Sequence, residues 1–193
     1  MKVTILDYGA GNIQSVQFAL ARLGVSAILS SDKEEVLTAD KIIFPGVGHA
    51  SEAMKQLNAT ALSDLIPNLK QDVLGICLGM QLLCTSTEEG EAEGLGVFDV
   101  DVKRFSNAVK VPHMGWNRIE DLKSDLFKGL NSNPYMYSVH SYYAPIVSQT
   151  IASSNYEFPF SAALQHKNFY GVQFHPEKSS SDGAQILTNF LNL

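Results

Sequence analysis

The 193-residue sequence predicts an α/β fold: an open, mostly parallel sheet with helices on both faces, plus some antiparallel β structure near the C-terminal half. Three observations carry this. Short apolar strands alternate with helical patterns through the first part of the chain, which calls for crossover connections and so for a parallel sheet covered on both sides. Glycine-rich turns follow two of these strands, Tyr8-Gly9-Ala10-Gly11-Asn12 after the first and Pro45-Gly46-Val47-Gly48 after the third. Two alternating runs, Ala162 to Gln165 and Tyr170 to Phe174, flank Lys167-Asn168 as a hairpin would. The expected organisation is one domain over residues 1–193, long enough for a sizeable core.

Taken in order, Lys2 to Asp7 is a strand with Val3, Ile5 and Leu6 as its apolar members. Ile13, Val16, Ala19, Leu20 and Leu23 recur at helical spacing, and Gly24 is a natural stop. Val25 to Ser30 is a second strand, and a polar stretch with room for a short helix leads to a third from Lys41 to Phe44. Ser51 to Leu57 and Leu62 to Leu69 read as scaffold helices, and Val73 to Ile76 as a buried fourth strand running into a helix from Leu78. An acidic loop, Glu88 to Glu93, precedes β structure within Gly94 to Arg104. Lys110 to Asn117 reads as a Pro/Gly-punctuated loop whose Met114 and Trp116 either plug the core or anchor a partner. Ser124 to Leu130 suggests a short helix and Met136 to His140 a strand. A closing helix over Ser181 to Asn192 has an apolar face of Ile186, Leu187, Phe190 and Leu191.

The chemistry centres on Gly75-Ile76-Cys77-Leu78-Gly79, a strand, an abrupt turn and a helix in the G-x-C-x-G pattern of a nucleophile elbow with a thiol in place of the hydroxyl. Small flanking residues let strand and helix pack closely while the turn lifts the side chain of Cys77 into the open. The adjacent helix N-terminus favours negative charge, which is expected to lower the thiol pKa below its usual value of about 8.5. The competing reading is a small buried hydrophobe, a common fate of a free cysteine. Gly46, Val47 and Gly48 end the third strand where ligands bind in open α/β sheets. They are either a plain turn or an oxyanion loop donating N–H beside that of Leu78.

Gly171-Val172-Gln173-Phe174-His175-Pro176-Glu177 supplies the complement. Pro176 biases His175 towards extended backbone, and in extended geometry His175 and Glu177 point to the same side. A carboxylate beside an imidazole selects its tautomer and steadies the charge formed when it takes a proton. A purely structural His–Glu pair is the alternative. Both stretches lie at the C-terminal ends of predicted strands, which converge on one edge of a parallel sheet, so a Cys77–His175–Glu177 triad needs no contrived folding.

A net charge of −6 argues against nucleic acid as a partner. Cys77 and Cys84 are placed about two turns apart on the elbow unit, which makes a mutual disulfide implausible. No C-x-x-C pair exists, and His49, His113 and His140 fall on predicted loops without the helical spacing of a metal pair, so no metal is assigned. Gly9-Ala10-Gly11 lacks the third glycine of a dinucleotide fingerprint, and no cofactor is expected. No apolar run approaches membrane-span length, and the reading is a cytoplasmic, thiol-reducing setting.

Gly75-Ile76-Cys77-Leu78-Gly79-Met80-Gln81 and His175-Pro176-Glu177 resemble the triad (class I) glutamine amidotransferases, whose fold is flavodoxin-like. Asp7-Tyr8-Gly9-Ala10-Gly11-Asn12, Pro45 to Gly48, Pro112 to Asn117 and Val139 to Tyr142 are similar to the blocks of the glutaminase subunits of imidazole glycerol phosphate synthases, and together they span nearly the whole chain. The resemblance implies Cys77 as nucleophile, His175 as base and then acid, and Glu177 as orienter. It implies an oxyanion and substrate site at Gly46, Val47, Gly48, Leu78, Gln81, Glu89, His140, Ser141 and Tyr142. Gln81 and Glu89 would hold the glutamine α-amino end, and backbone around His140 and Ser141 its carboxylate. Asn12, Met114, Trp116, Asn117 and Tyr137 would meet a cyclase subunit, a βα-barrel, in a heterodimer that receives ammonia for histidine synthesis. A stand-alone thiol hydrolase and a non-catalytic subunit on the same scaffold are the other open readings.

Overall fold

The computed structural model describes residues 1–9 and 13–193. The first part of the chain alternates strand and helix as expected: β1 (Val3–Leu6), α1 (Ile13–Arg22), β2 (Ala27–Ser30), α2 (Lys33–Leu37), β3 (Lys41–Gly46), α3 (Ala50–Ala59), α4 (Leu62–Leu65), β4 (Asp72–Cys77) and α5 (Leu78–Leu82). Strands dominate the remainder: β5 (Cys84–Thr87), β6 (Ala92–Glu93), β7 (Phe98–Arg104), β8 (His113–Glu120), β9 (Tyr135–His140), β10 (Tyr142–Tyr143), β11 (Thr150–Asn155), β12 (Pro159–His166) and β13 (Phe169–Val172), before α6 (Ser180–Leu191).

The main sheet runs β2-β1-β3-β4-β13-β12-β11-β8-β9. Its first five strands are mutually parallel. From β13 onward the pairing is antiparallel, beginning with the predicted hairpin of β12 and β13 around Lys167-Asn168. A second, smaller sheet runs β10-β7-β5-β6. Val3, Ile5, Ile43, Leu74 and Ile76 join one core with Val16 and Leu20 of α1 and Ile186, Leu187 and Phe190 of α6. Leu6, Ile42, Phe44 and Val73 join a second with Val36 of α2, Leu57 of α3, Leu62 of α4 and Val102 of β7. The central strands are buried on both faces, which is why their sequences read as near-continuous apolar runs.

Several local expectations are corrected. The elbow helix is five residues long. Its last carbonyls are taken by the returning chain, Leu95 N–H on Leu82 O at 2.8 Å and Val97 N–H on Leu83 O at 2.8 Å, so the chain leaves the helix and Cys84 opens β5. Part of the acidic run pairs as β6 against β5. The stretch read as a loop at Lys110 to Asn117 becomes strand from His113, because β9 pairs with it through Arg118 and β11 joins the same strand at Ile119 and Glu120. His113 and His140 therefore sit opposite each other on paired strands, not on loops. The expected helix near Ser124 to Leu130 contracts to a 3-10 turn at Asp125–Phe127.

Candidate active site

Cys77 closes β4 at φ 53°, ψ −110°, a strained conformation for a residue with a side chain. The strain is held in place by close packing beneath it. A Cβ on Gly79 would collide with the Phe44 carbonyl, and one on Gly46 would lie 2.7 Å from the Gly79 nitrogen. Gly46 is thus a correction: it is the buried end of β3, wedged under the elbow, and does not line the cavity. The thiol is not lifted into open solvent either. Cys77 is 7% exposed, and it faces a cavity of about 370 Å³ lined also by His175 and by Val47, Gly48, Leu78, Gln81, Glu89, His140, Ser141 and Tyr142. Sγ has the Val139 carbonyl at 3.7 Å and Gln173 Nε2 at 3.8 Å.

β13 runs parallel to β4 with Val172 opposite Ile76, so the chain leaves both strands at the same edge. His175 Nδ1 meets Glu177 Oε1 at 2.9 Å. The pairing is made differently from the extended arrangement expected: His175 is extended, but Pro176–Lys178 is a 3-10 turn that curls the carboxylate back onto the imidazole. Backbone of β9 fixes this turn. His175 N–H donates to Tyr137 O at 2.8 Å, while Ser179 Oγ accepts from Tyr137 N–H at 2.9 Å and donates to His175 O at 2.7 Å. Burial works to lower the His175 pKa, but hydrogen bonding to Cys77 and Glu177, with their negative charge, outweighs it and pushes the value up to about 10.

The cavity walls suit an amino acid with both of its charges. Gln81 Nε2 donates to Tyr142 O at 3.1 Å and to Gln173 Oε1 at 2.8 Å, which uses both amide hydrogens and leaves its oxygen as an acceptor. Glu89 also lines the cavity, anchored where its Oε2 accepts Ala50 N–H at 2.9 Å at the start of α3. An ammonium group is matched by such acceptors. On the other wall Phe105 N–H donates to Ser141 O at 3.1 Å, and His140 Nδ1 donates to Tyr142 O at 2.7 Å. Both the Ser141 and the Tyr142 carbonyls are thus held by protein donors.

Sequence reasoning passed over two residues. Gln173, 1% exposed, bridges Gln81 and the thiol. The available signal was a lone amide in the apolar run Val172-Gln173-Phe174. Tyr8 donates to Pro45 O at 2.7 Å and so pins the base of the Gly46–Gly48 turn; burial, then the nearby Cys77 charge, raises its pKa. Met114 and Trp116 are 61% and 52% exposed on the outer face of β8, and Tyr137 packs edge-on against Trp116 at 6.0 Å between ring centroids. Asn117 does not join them. Its amide bonds His113, the Arg118 N–H and Asn155 O within the fold. Asn12 lies outside the described residues.

The family model for class-I glutamine amidotransferases matches residues 4–193. The HisH subunit of imidazole glycerol phosphate synthase from Bacteroides thetaiotaomicron is 55% identical, and that from Escherichia coli K12 48%, each alignment covering all of both chains. Among solved structures, a glutamine amidotransferase matches with a TM-score of 0.78 at 18% identity, covering 100% of this chain and 98% of that one. A putative GMP synthase subunit from Thermoplasma acidophilum matches with a TM-score of 0.77 at 22% identity, covering 100% of this chain and 92% of that one. A fold of this kind, an elbow thiol facing a buried imidazole–carboxylate pair, and full-length relatives at these identities lead to one assignment: the chain belongs to the class-I glutamine amidotransferases and, within them, to the HisH subunit family of imidazole glycerol phosphate synthase.

Proposed function

We propose that this chain, acting as one domain, is the glutaminase subunit of an imidazole glycerol phosphate synthase, with Cys77, His175 and Glu177 as its catalytic triad. The observation that carries the catalytic assignment is the convergence, in one cavity, of the strained Cys77 and a His175 held at 2.9 Å from Glu177. Glutamine enters with its α-ammonium against Gln81 Oε1 and Glu89 and its carboxylate against the His140–Tyr142 wall. The Cys77 thiolate attacks the side-chain amide carbon, and the oxygen gains negative charge beside the N–H groups of Leu78 and the Val47-Gly48 turn. His175 gives its proton to the amide nitrogen, the C–N bond breaks, and ammonia leaves a γ-glutamyl thioester. His175 then takes a proton from water, whose oxygen attacks the thioester carbon. Loss of the thiolate yields glutamate, and Glu177 keeps the imidazole in one orientation throughout.

The ammonia passes to a cyclase subunit, a βα-barrel, in a cytoplasmic heterodimer serving histidine biosynthesis. The exposed Met114 and Trp116 with neighbouring Tyr137 support the placing of that contact on the outer face of β8. The deciding experiment is ammonia release from glutamine by the chain alone, then with a cyclase subunit plus its nucleotide ligand, with Cys77→Ala as control. Stimulation by the liganded partner that vanishes in Cys77→Ala is the expected result. Full activity without the partner would point to a stand-alone hydrolase, and none under any condition to a non-catalytic subunit.

A further inference from the structure

Behind the Ser141–Tyr142 wall lies a chain of four polar groups that the reaction steps do not use. His140 Nδ1 is 2.7 Å from Tyr142 O, His140 Nε2 is 3.1 Å from His113 Nδ1, and His113 Nε2 is 3.3 Å from Asn117 Nδ2. Its proton arrangement is set by its two ends. Asn117 Oδ1 accepts the Arg118 N–H at 2.8 Å and Nδ2 donates to Asn155 O at 2.9 Å, so the amide nitrogen faces His113 with its second hydrogen. His113 Nε2 must then accept, which places the proton of this imidazole on Nδ1, pointing at His140. His140 Nε2 accepts it, and the proton of His140 sits on Nδ1 against the Tyr142 carbonyl. Starting from that carbonyl, which can only accept, gives the same order. Protonating either ring would set an N–H against another N–H.

We propose that His113 is a positioning residue for glutamine binding: through a neutral His140 it fixes the Tyr142 carbonyl, and with it the cavity wall that receives the substrate carboxylate. The proposal rests on the glutaminase reading of the site. His113 and His140 are 5% and 6% exposed, so water has little access to replace either bond. His113 is stacked on Tyr156 at 4.0 Å between centroids, and Phe105 packs against both imidazoles, which holds the rings in register. Burial lowers the pKa of both histidines; at His140 the Tyr142 bond opposes this and the neighbouring His113 and His175 reinforce it, leaving about 3. Without a donor at His113, His140 Nε2 would be a buried acceptor with nothing to accept. The ring would then turn, and the Tyr142 carbonyl would keep only the bond from Gln81.

The test compares His113→Phe with His113→Asn in the full chain, with and without the cyclase subunit. Phenylalanine keeps the stack on Tyr156 but removes the donor; the asparagine amide nitrogen stands where Nδ1 stood. The expected result is a glutamine KM raised about five- to tenfold in His113→Phe with kcat within about twofold, and largely restored in His113→Asn. An unchanged KM in His113→Phe overturns the proposal, as does an equal loss in both variants. Imidazole ¹⁵N NMR of the wild-type chain at pH 5.5 gives a readout independent of activity: His140 should be neutral with its proton on Nδ1. A charged His140, or the other tautomer, overturns it. If the wild-type chain releases no ammonia in a Cys77-dependent way, the glutaminase reading fails, while the NMR result still decides whether the chain of protons exists.

Discussion

At Glu177 one oxygen is bonded to His175 Nδ1 at 2.9 Å, while the other is buried with no partner among the described residues. The carboxylate therefore acts almost wholly on the imidazole. Glu177→Gln removes the charge but keeps a group that can bond the ring. Turnover is expected to fall by about two to four orders of magnitude without disappearing. The pH profile carries the sign. Negative charge on Glu177 stabilises imidazolium, and removing it lowers the His175 pKa from about 10. The alkaline limb of kcat/KM should move to lower pH in the variant. Wild-type turnover or an unmoved limb would remove Glu177 from the site. The proposed triad could be picked out in the sequence because each member sits beside residues that dictate its backbone: Gly75 and Gly79 around Cys77, Pro176 between His175 and Glu177. Gln173 was not, since its partners, Gln81 and Cys77, are more than ninety residues away in the chain.

At the scale of elements, the two faces of β8 carry the two proposals made for it. Alternation puts His113 inward and Met114 and Trp116 outward, where a large exposed aromatic beside an edge-packed Tyr137 is the make-up of a contact centre. Trp116→Ala is expected to weaken binding of the cyclase subunit about tenfold or more, measured by titration calorimetry, while the urea unfolding midpoint of the isolated chain stays where it was. Full affinity in the variant would move the contact elsewhere. The sequence hid this strand. Pro112 and Gly115 read as loop punctuation, and what makes the segment a strand is the pairing with β9 and β11, whose partners come from later in the chain. The elbow helix was likewise overextended, because its end is set by Leu95 and Val97 N–H groups returning to Leu82 and Leu83.

For the molecule as a whole, the parallel ordering of β3, β4 and β13 brings three strand ends to one edge, and the antiparallel extension carries β9 round to hold His175 through Tyr137. The site is therefore tied to both halves of the sheet. It also encloses a histidine that cannot easily charge, and stability should report it. The folded pKa of His140, about 3, lies below the unfolded value near 6.5, so between these pH values the unfolded chain binds the extra proton. Stability from this group is present above pH 6.5 and lost as pH falls, by about 1.4 kcal/mol per pH unit. Denaturant midpoints should drop between pH 7 and pH 5, and His140→Gln should flatten that slope. An equally steep slope in the variant would assign the acid sensitivity to other groups.

Read alone, the sequence was enough for the α/β class, the alternation through β4, the C-terminal hairpin, and the placing of Cys77, His175 and Glu177 beside residues that dictate their backbone. All of these are local matters: apolar periodicity, glycine at a turn, proline between two side chains. Tertiary structure decided how deeply Cys77 is buried, that Gly46 is packing under the elbow, that His113 to Glu120 is strand, and that Asn117, His113 and His140 line up behind the cavity wall. Those outcomes depend on which distant segments meet, and on a buried polar group taking whichever partner the fold brings to it.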